Sequence, residues 1–187
     1  MIMSEDLLKL MRGIVNVRNY KNESISEDIL TKLYTAFAAG PTTMSSQAGE
    51  LLLISDKEKR NKLVEATLNP YLTKDSYGAQ SWLLNAPFVC VVLVEKRRAV
   101  ARVGEQGLSI AKQEVNASIQ NFRLLAQSLG LSTACVREFD QDQLKENLDL
   151  PWYVMPVAIL TAGYSDVKAE EPPRLSVSEI VSEEVWI

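Results

Sequence analysis

Between Lys112 and Leu129 apolar side chains recur at three- and four-residue steps: Val115, Ile119, Phe122, Leu125, Ala126 and Leu129, with small Ser118 between them. That is the period of a helix with one buried face. At about 1.5 Å per residue it predicts a helix of roughly 27 Å, the width of a small domain. Gly130 follows where a left-handed C-cap is wanted, because glycine has no Cβ to clash there. Leu131 to Val136 then reads as a short inward strand. This helix, turn and strand form the spine around which the other elements are placed.

On the N-terminal side, Ser4 caps a first helix to Met11 with Leu7, Leu8 and Leu10 as its apolar residues. Gly13 to Tyr20 is extended. Ser26 opens a second helix, with Glu27 and Asp28 in its positive first turn. Ile29, Leu30, Leu33, Tyr34 and Phe37 form its buried stripe, and Gly40-Pro41 ends it. Thr42 to Gly49 is polar and small, hence a loop. Glu50 to Ser55 reads as a strand, and Asp56 caps a charged helix from Lys57 to about Thr67. Asn69 to Gln80 is irregular, and Ser81 to Asn85 is a short approach to Pro87.

Phe88 to Val94 is an almost unbroken apolar run, the mark of a strand buried on both faces. Lys96, Arg97, Arg98 and Arg102 form a basic patch in a connection, a candidate for a cosubstrate phosphate. Beyond the spine, Asp140 opens a helix with Gln143 at the capping-box position. Val157 to Thr161 is a further strand ending at Gly163. Helices and strands mix without regular βα alternation, which predicts one α+β domain over residues 1–187 with a central sheet.

Composition narrows the chemistry. The net charge of −4 gives no global drive toward nucleic acid. No segment has the apolar length of a membrane span and the N-terminus lacks a signal-peptide pattern, so a cytoplasmic location without membrane contact is expected. The sequence has no histidine, which removes Ser-His-Asp and Cys-His nucleophile systems and histidine-bearing metal sites. No metal site is expected, and no Walker loop occurs. Cys90 and Cys135 fall in predicted buried strands and read as inert core thiols. An enzyme built this way must rely on a carboxylate, lysine, tyrosine or bound cofactor. The chain ends on Val185-Trp186-Ile187, a hydrophobic end that docks on its own body or on a second subunit.

Five segments, in order, resemble the nitroreductase family, FMN-dependent α+β homodimers that reduce nitro compounds and quinones with NADH or NADPH. Ile14 to Tyr20 resembles the family's Arg-x-Ser-x-Arg/Lys phosphate-binding segment: Arg18 and Tyr20 match, Asn16 replaces the serine, and Ile14 stands where the first arginine would be. Arg12 is the nearest replacement for that charge. Pro41 to Gln47 resembles Pro-Ser-x-x-Asn-x-Gln, with Thr42 and Gln47 fitting and Ser45 in place of asparagine. Trp82 with Ala86-Pro87 and the spine segment Gln120 to Leu131 follow. Arg174 to Val181 resembles the C-terminal Arg-x-Pro-Leu-x-Glu-Val-Val.

The resemblance implies a central antiparallel-dominated sheet flanked by helices, a long central helix, and a swapped C-terminal tail in a homodimer. It implies FMN held by Asn16, Arg18, Thr42, Ser45, Gln47, Arg137, Glu138 and Arg174, with the Glu138 backbone N–H facing flavin N5. Hydride would pass from NADH or NADPH through the flavin to a nitroaromatic, quinone or similar small acceptor, with no protein side chain as catalytic acid. The alternatives are a specialised flavin or cofactor-metabolising enzyme on the same fold, or a dimeric binding protein that has lost tight flavin binding.

Overall fold

The computed structural model describes residues 4–67, 79–168 and 170–186. Four strands make its sheet: β1 (Gly49–Leu53), β2 (Phe88–Glu95), β3 (Ser132–Val136) and β4 (Val154–Gly163). Their spatial order is β1-β2-β4-β3, and every neighbouring pair is antiparallel. Every β2 residue is buried. The alternation of side chains explains why its sequence shows no polar face. Cys90, Val92 and Val94 pack with Leu33, Phe37, Val115 and Phe122, while Val89, Val91 and Leu93 pack with Leu63, Leu83 and Leu144 on the opposite face.

β4 is longer than its apolar run suggested. It begins at Val154 and contains Pro156, which has no N–H for the ladder. The register slips there: Leu93 pairs with Pro156 and Val92 with Ala158, so Val157 is the extra residue of a bulge.

The helices are α1 (Ser4–Arg12), α2 (Glu27–Ala38), α3 (Lys57–Glu65), α4 (Lys96–Ala101), α5 (Gly107–Ser128), α6 (Gln141–Asn147) and α7 (Val177–Ile180). Ser26, Asp56 and Asp140 cap α2, α3 and α6 through their side chains, as the sequence predicts. The spine helix α5 has 22 residues and starts five positions before the predicted Lys112. Its first residue, Gly107, lies so close to α4 that a Cβ there would stand 1.9 Å from the Ala99 carbonyl oxygen. Gly130 closes α5 at φ +78°, and the Leu131 N–H returns to the Ala126 carbonyl at 2.9 Å.

One expectation changes, and one open choice narrows. The basic residues Lys96 to Arg98 lie in α4 and not in an open connection. The Glu95 carboxylate caps this helix, accepting from the Arg97 and Arg98 backbone N–H groups and pairing with Arg97 Nε at 2.8 Å. Burial pushes the Glu95 carboxyl up, but the donors from Arg97 and Arg98 outweigh it and hold the group below the usual carboxylate range. Arg98 also pairs with Glu50. Arg97 and Arg98 are therefore already paired with carboxylates.

The open choice concerns the tail. It leaves β4 alongside residues 19–21, with Lys21 N–H on the Tyr164 carbonyl at 2.8 Å and Lys21 paired to Asp166 at 2.7 Å. Further on, Glu171 lies 4.0 Å from Arg12, while the apolar tail residues face outward: Leu175, Val177, Ile180 and Val185 are exposed and Trp186 is 91% exposed. Ile187 and most of the irregular Asn69 to Gln80 stretch lie outside the described residues.

Candidate functional site

Residues 14–18 run along the outer edge of β3. Asn16 forms a parallel bridge with Thr133, and the Val17 N–H donates to the Thr133 carbonyl at 3.0 Å. Asn16 Oδ1 accepts two bonds, from the Cys135 N–H at 3.1 Å and from Arg123 Nη2 at 3.0 Å. Arg18 is exposed beside it, and Arg137 follows the end of β3 with Nε and Nη2 on Asn116 Oδ1 at 3.2 and 2.9 Å. Among the described residues, Arg18, Arg123 and Arg137 take part in no ion pair. The Arg137 and Glu138 N–H groups have no backbone carbonyl partner there either.

The charges of this edge are felt by its neighbours. Burial pushes the Tyr20 phenol up to about 12, against the opposing pull of its bond to Thr161 and of Arg123 and Arg18. Its hydroxyl lies 2.7 Å from Thr161 Oγ1. Burial lowers the Arg123 guanidinium, and the like charge of Arg137 adds to the effect. A cavity of about 710 Å³ opens beside Arg18, lined also by Tyr20, Trp82 and Asn85. The edge is therefore cationic and rich in donors, suited to an anion carried on a planar molecule.

The second group of predicted residues lies elsewhere. Residues 43–45 form a 3-10 turn, and Met44, Ser45 and Gln47 all take left-handed backbone at φ 51°, 54° and 45°. Such residues each cost about 1–2 kcal/mol outside glycine. Thr42 Oγ1 holds the loop by accepting the Gln47 N–H at 2.7 Å, and the Glu114 carboxylate accepts the Thr43 N–H. Gly40 brings the chain against α5: a Cβ there would lie 3.0 Å from the Ser118 Cα. The Ser45 and Gln47 side chains are exposed. A cleft of about 260 Å³ separates the loop from α5, lined by Thr42, Gln47, Glu114 and Ser118.

The two groups stand on opposite sides of α5. Glu114 and Ser118 face the loop, whereas Asn116 and Arg123 face the β3 edge. At 3.6 residues per turn, Asn116 lies about 160° around the helix from Glu114. One chain thus brings together Asn16, Arg18, Arg137 and Glu138, and separately Thr42, Ser45 and Gln47. It does not bring the two sets into one pocket. Arg174 is on the exposed tail.

The sequence motifs carry no information on this separation, because each is local. Ile14 is buried at 9% exposure and presents no polar group to the edge. Arg12 does not replace the missing charge: its Nε lies 4.0 Å from Glu171, at a cavity it shares with Glu5 and Asp6. The residue that sequence reasoning missed is Arg123. Its signal was a cation four positions after Ile119, at the rim of an otherwise apolar stripe.

The sequence profile of the Nitroreductase family matches residues 16–164. The chain belongs to the nitroreductase family. The resemblance carried by the motifs is thereby borne out. A Bacillus subtilis relative named FMN reductase [NAD(P)H] is 22% identical over 97% of this chain and 75% of its own length. A Staphylococcus aureus relative named NADPH-dependent oxidoreductase is 26% identical over 95% of this chain and 73% of its own. Nitroreductase A from Vibrio parahaemolyticus superposes with a TM-score of 0.85 at 20% identity, covering 100% of this chain and 78% of that one. At that identity the likeness establishes the nitroreductase fold, with its antiparallel sheet and long central helix.

Proposed function

We propose that this nitroreductase is an FMN-dependent oxidoreductase, a single domain that works as a cytoplasmic homodimer. It passes hydride from NADH or NADPH to a small acceptor such as a nitroaromatic or quinone. The observation that carries this reading is the division of flavin-type donors between two sides of α5. A second copy laying its Pro41–Gln47 loop over the β3 edge of the first would complete the site. The names of the Bacillus and Staphylococcus relatives, which join FMN, NAD(P)H and NADPH, support the same reading.

The residues fit such a cofactor. A phosphate needs charge-assisted donors, and Arg18, Arg137 and the Asn16 amide nitrogen supply them at the edge, with Arg174 joining from the tail. The Glu138 N–H would donate to the ring. From the other copy, Ser45 and Gln47 would meet its polar margin, and Thr42 still has a hydroxyl proton to give. When bound, FMN would supply the centre that accepts and releases hydride. The protein's part is to hold it, exclude water and orient the two substrates in turn.

Two surfaces support the dimer. Leu175, Val177, Ile180 and Trp186 are exposed on the tail. An apolar groove of about 750 Å³ between α1, α2 and α5 is lined by Leu7, Leu10, Ala36, Leu124 and Leu125. Burying such surface contributes about 25 cal/mol per Å².

The test is a gentle purification followed by a visible spectrum and sedimentation. A yellow dimer bleached by NADH or NADPH without oxygen is expected. A colourless protein that takes up no added FMN sinks the reading. Buried Ile14 favours one second reading, a dimer that binds flavin weakly; a yellow protein that loses its colour on dilution is its signature.

A further inference from the structure

Arg123 is the most deeply placed cation of the β3 edge, 9% exposed. Its Nε donates to Thr133 Oγ1, and its Nη2 donates to both the Val15 carbonyl and Asn16 Oδ1, each at 3.0 Å. None of these partners is a carboxylate. A guanidinium taken out of water without a counter-charge is costly. Two more guanidiniums, Arg18 and Arg137, lie near enough to influence the same groups, and like charges raise that cost. A polar clamp on Asn16 alone would not need a permanent charge. A nearby anion would repay it.

The hydrogen bonds also settle an orientation. Asn16 Oδ1 is occupied by the Arg123 and Cys135 donors, so the amide presents its NH2 as the group left to bind. The charge supplied here comes from α5, eight positions along the helix from Val115. The N-terminal segment itself has only Arg18, since Ile14 is buried and Arg12 faces Glu171.

We propose that Arg123 is a positioning residue for the flavin phosphate: it turns the Asn16 amide outward and provides the buried positive charge of a three-arginine anion site with Arg18 and Arg137. This rests on the FMN reading above. Arg123 acts from beneath Asn16, through orientation and field.

The test compares FMN with riboflavin, which lacks the phosphate, by quenching of flavin fluorescence on the full chain. Wild-type protein is expected to prefer FMN. Arg123→Met should weaken FMN binding roughly ten- to hundredfold, the worth of one charge-assisted interaction. Riboflavin binding should change less than about threefold, with an unchanged far-ultraviolet circular dichroism spectrum. Arg123→Lys keeps the charge and loses the fork, so most of the FMN preference should survive in it.

A folded Met variant with wild-type FMN affinity overturns the proposal. Equal losses of FMN and riboflavin overturn it too, because they indicate a purely structural role. If the Met variant does not fold, the Lys variant decides: loss of the FMN preference there overturns the role of charge. A wild-type protein that binds neither flavin sinks the FMN reading itself, and is distinct from any failure seen only in the variants.

Discussion

The two sides of α5 are built on different principles. The β3 edge is held by backbone pairing and by arginines bonded to neutral groups, and its arginines take part in no ion pair among the described residues. The loop side is held by close approach and left-handed backbone, and its one charged clamp is the Glu114 carboxylate. One side is cationic; the other offers exposed uncharged hydrogen-bonding groups. Under the proposed function these are two unlike half-sites of one flavin pocket, which a symmetric dimer would join twice, since residues of one copy would meet different residues of the other.

The sharpest way to break that comparison is to damage one half at a time. Arg18→Ala should weaken FMN about ten- to hundredfold, and Gln47→Ala about three- to tenfold, as charged and neutral hydrogen bonds differ. A mixed dimer of one Arg18→Ala chain and one Gln47→Ala chain should recover about one wild-type site per two chains. Flavin titration of a doubly tagged heterodimer checks this. If both halves belong to one subunit, no wild-type site returns.

Alkaline titration separates the edge from the loop by stability. The Tyr20 pKa is raised from 10 to about 12, so between those values the folded protein keeps a proton that the unfolded chain has lost. Stability is therefore fully present below pH 10 and falls as pH rises toward 12, by about 2 kcal/mol from this group. Urea unfolding across that window should show the slope, and Tyr20→Phe should remove it. A slope unchanged in Tyr20→Phe would show that another group is responsible.

On the loop side, Gly40→Ala should destabilise by about 1–3 kcal/mol, because its Cβ would force α5 away at Ser118. The urea midpoint reports it. The smallest expected effect is Met44→Gly. Met44 is 62% exposed and left-handed, so relief of strain outweighs the added chain entropy, and stability should rise by about 0.5 kcal/mol. A loss of stability would show that Met44 is not strained.

Helix caps at Ser26, Asp56 and Asp140, the glycine stop at Gly130 and the doubly buried β2 were all legible, because each depends on neighbours within a few residues or on plain periodicity. The start of α5 at Gly107 and the early start of β4 were hidden by close packing on Ala99 and by the bulge at Pro156. The motif segments were legible as local patterns. Their division between two sides of one helix was not, and neither was Arg123.

By itself, then, the sequence determined the strands, the main helices and the family, and it nominated residues for a flavin. Those properties follow from local backbone preference and from side-chain chemistry at set spacings. Only the tertiary structure decided which of those residues share a surface. That depends on the angular position of Glu114, Asn116, Ser118 and Arg123 around α5, and on which distant segment packs against each. It also decided that Arg12 spends its charge on Glu171 while Arg123 stands under Asn16. Contacts between residues 107 positions apart have no spacing rule to announce them.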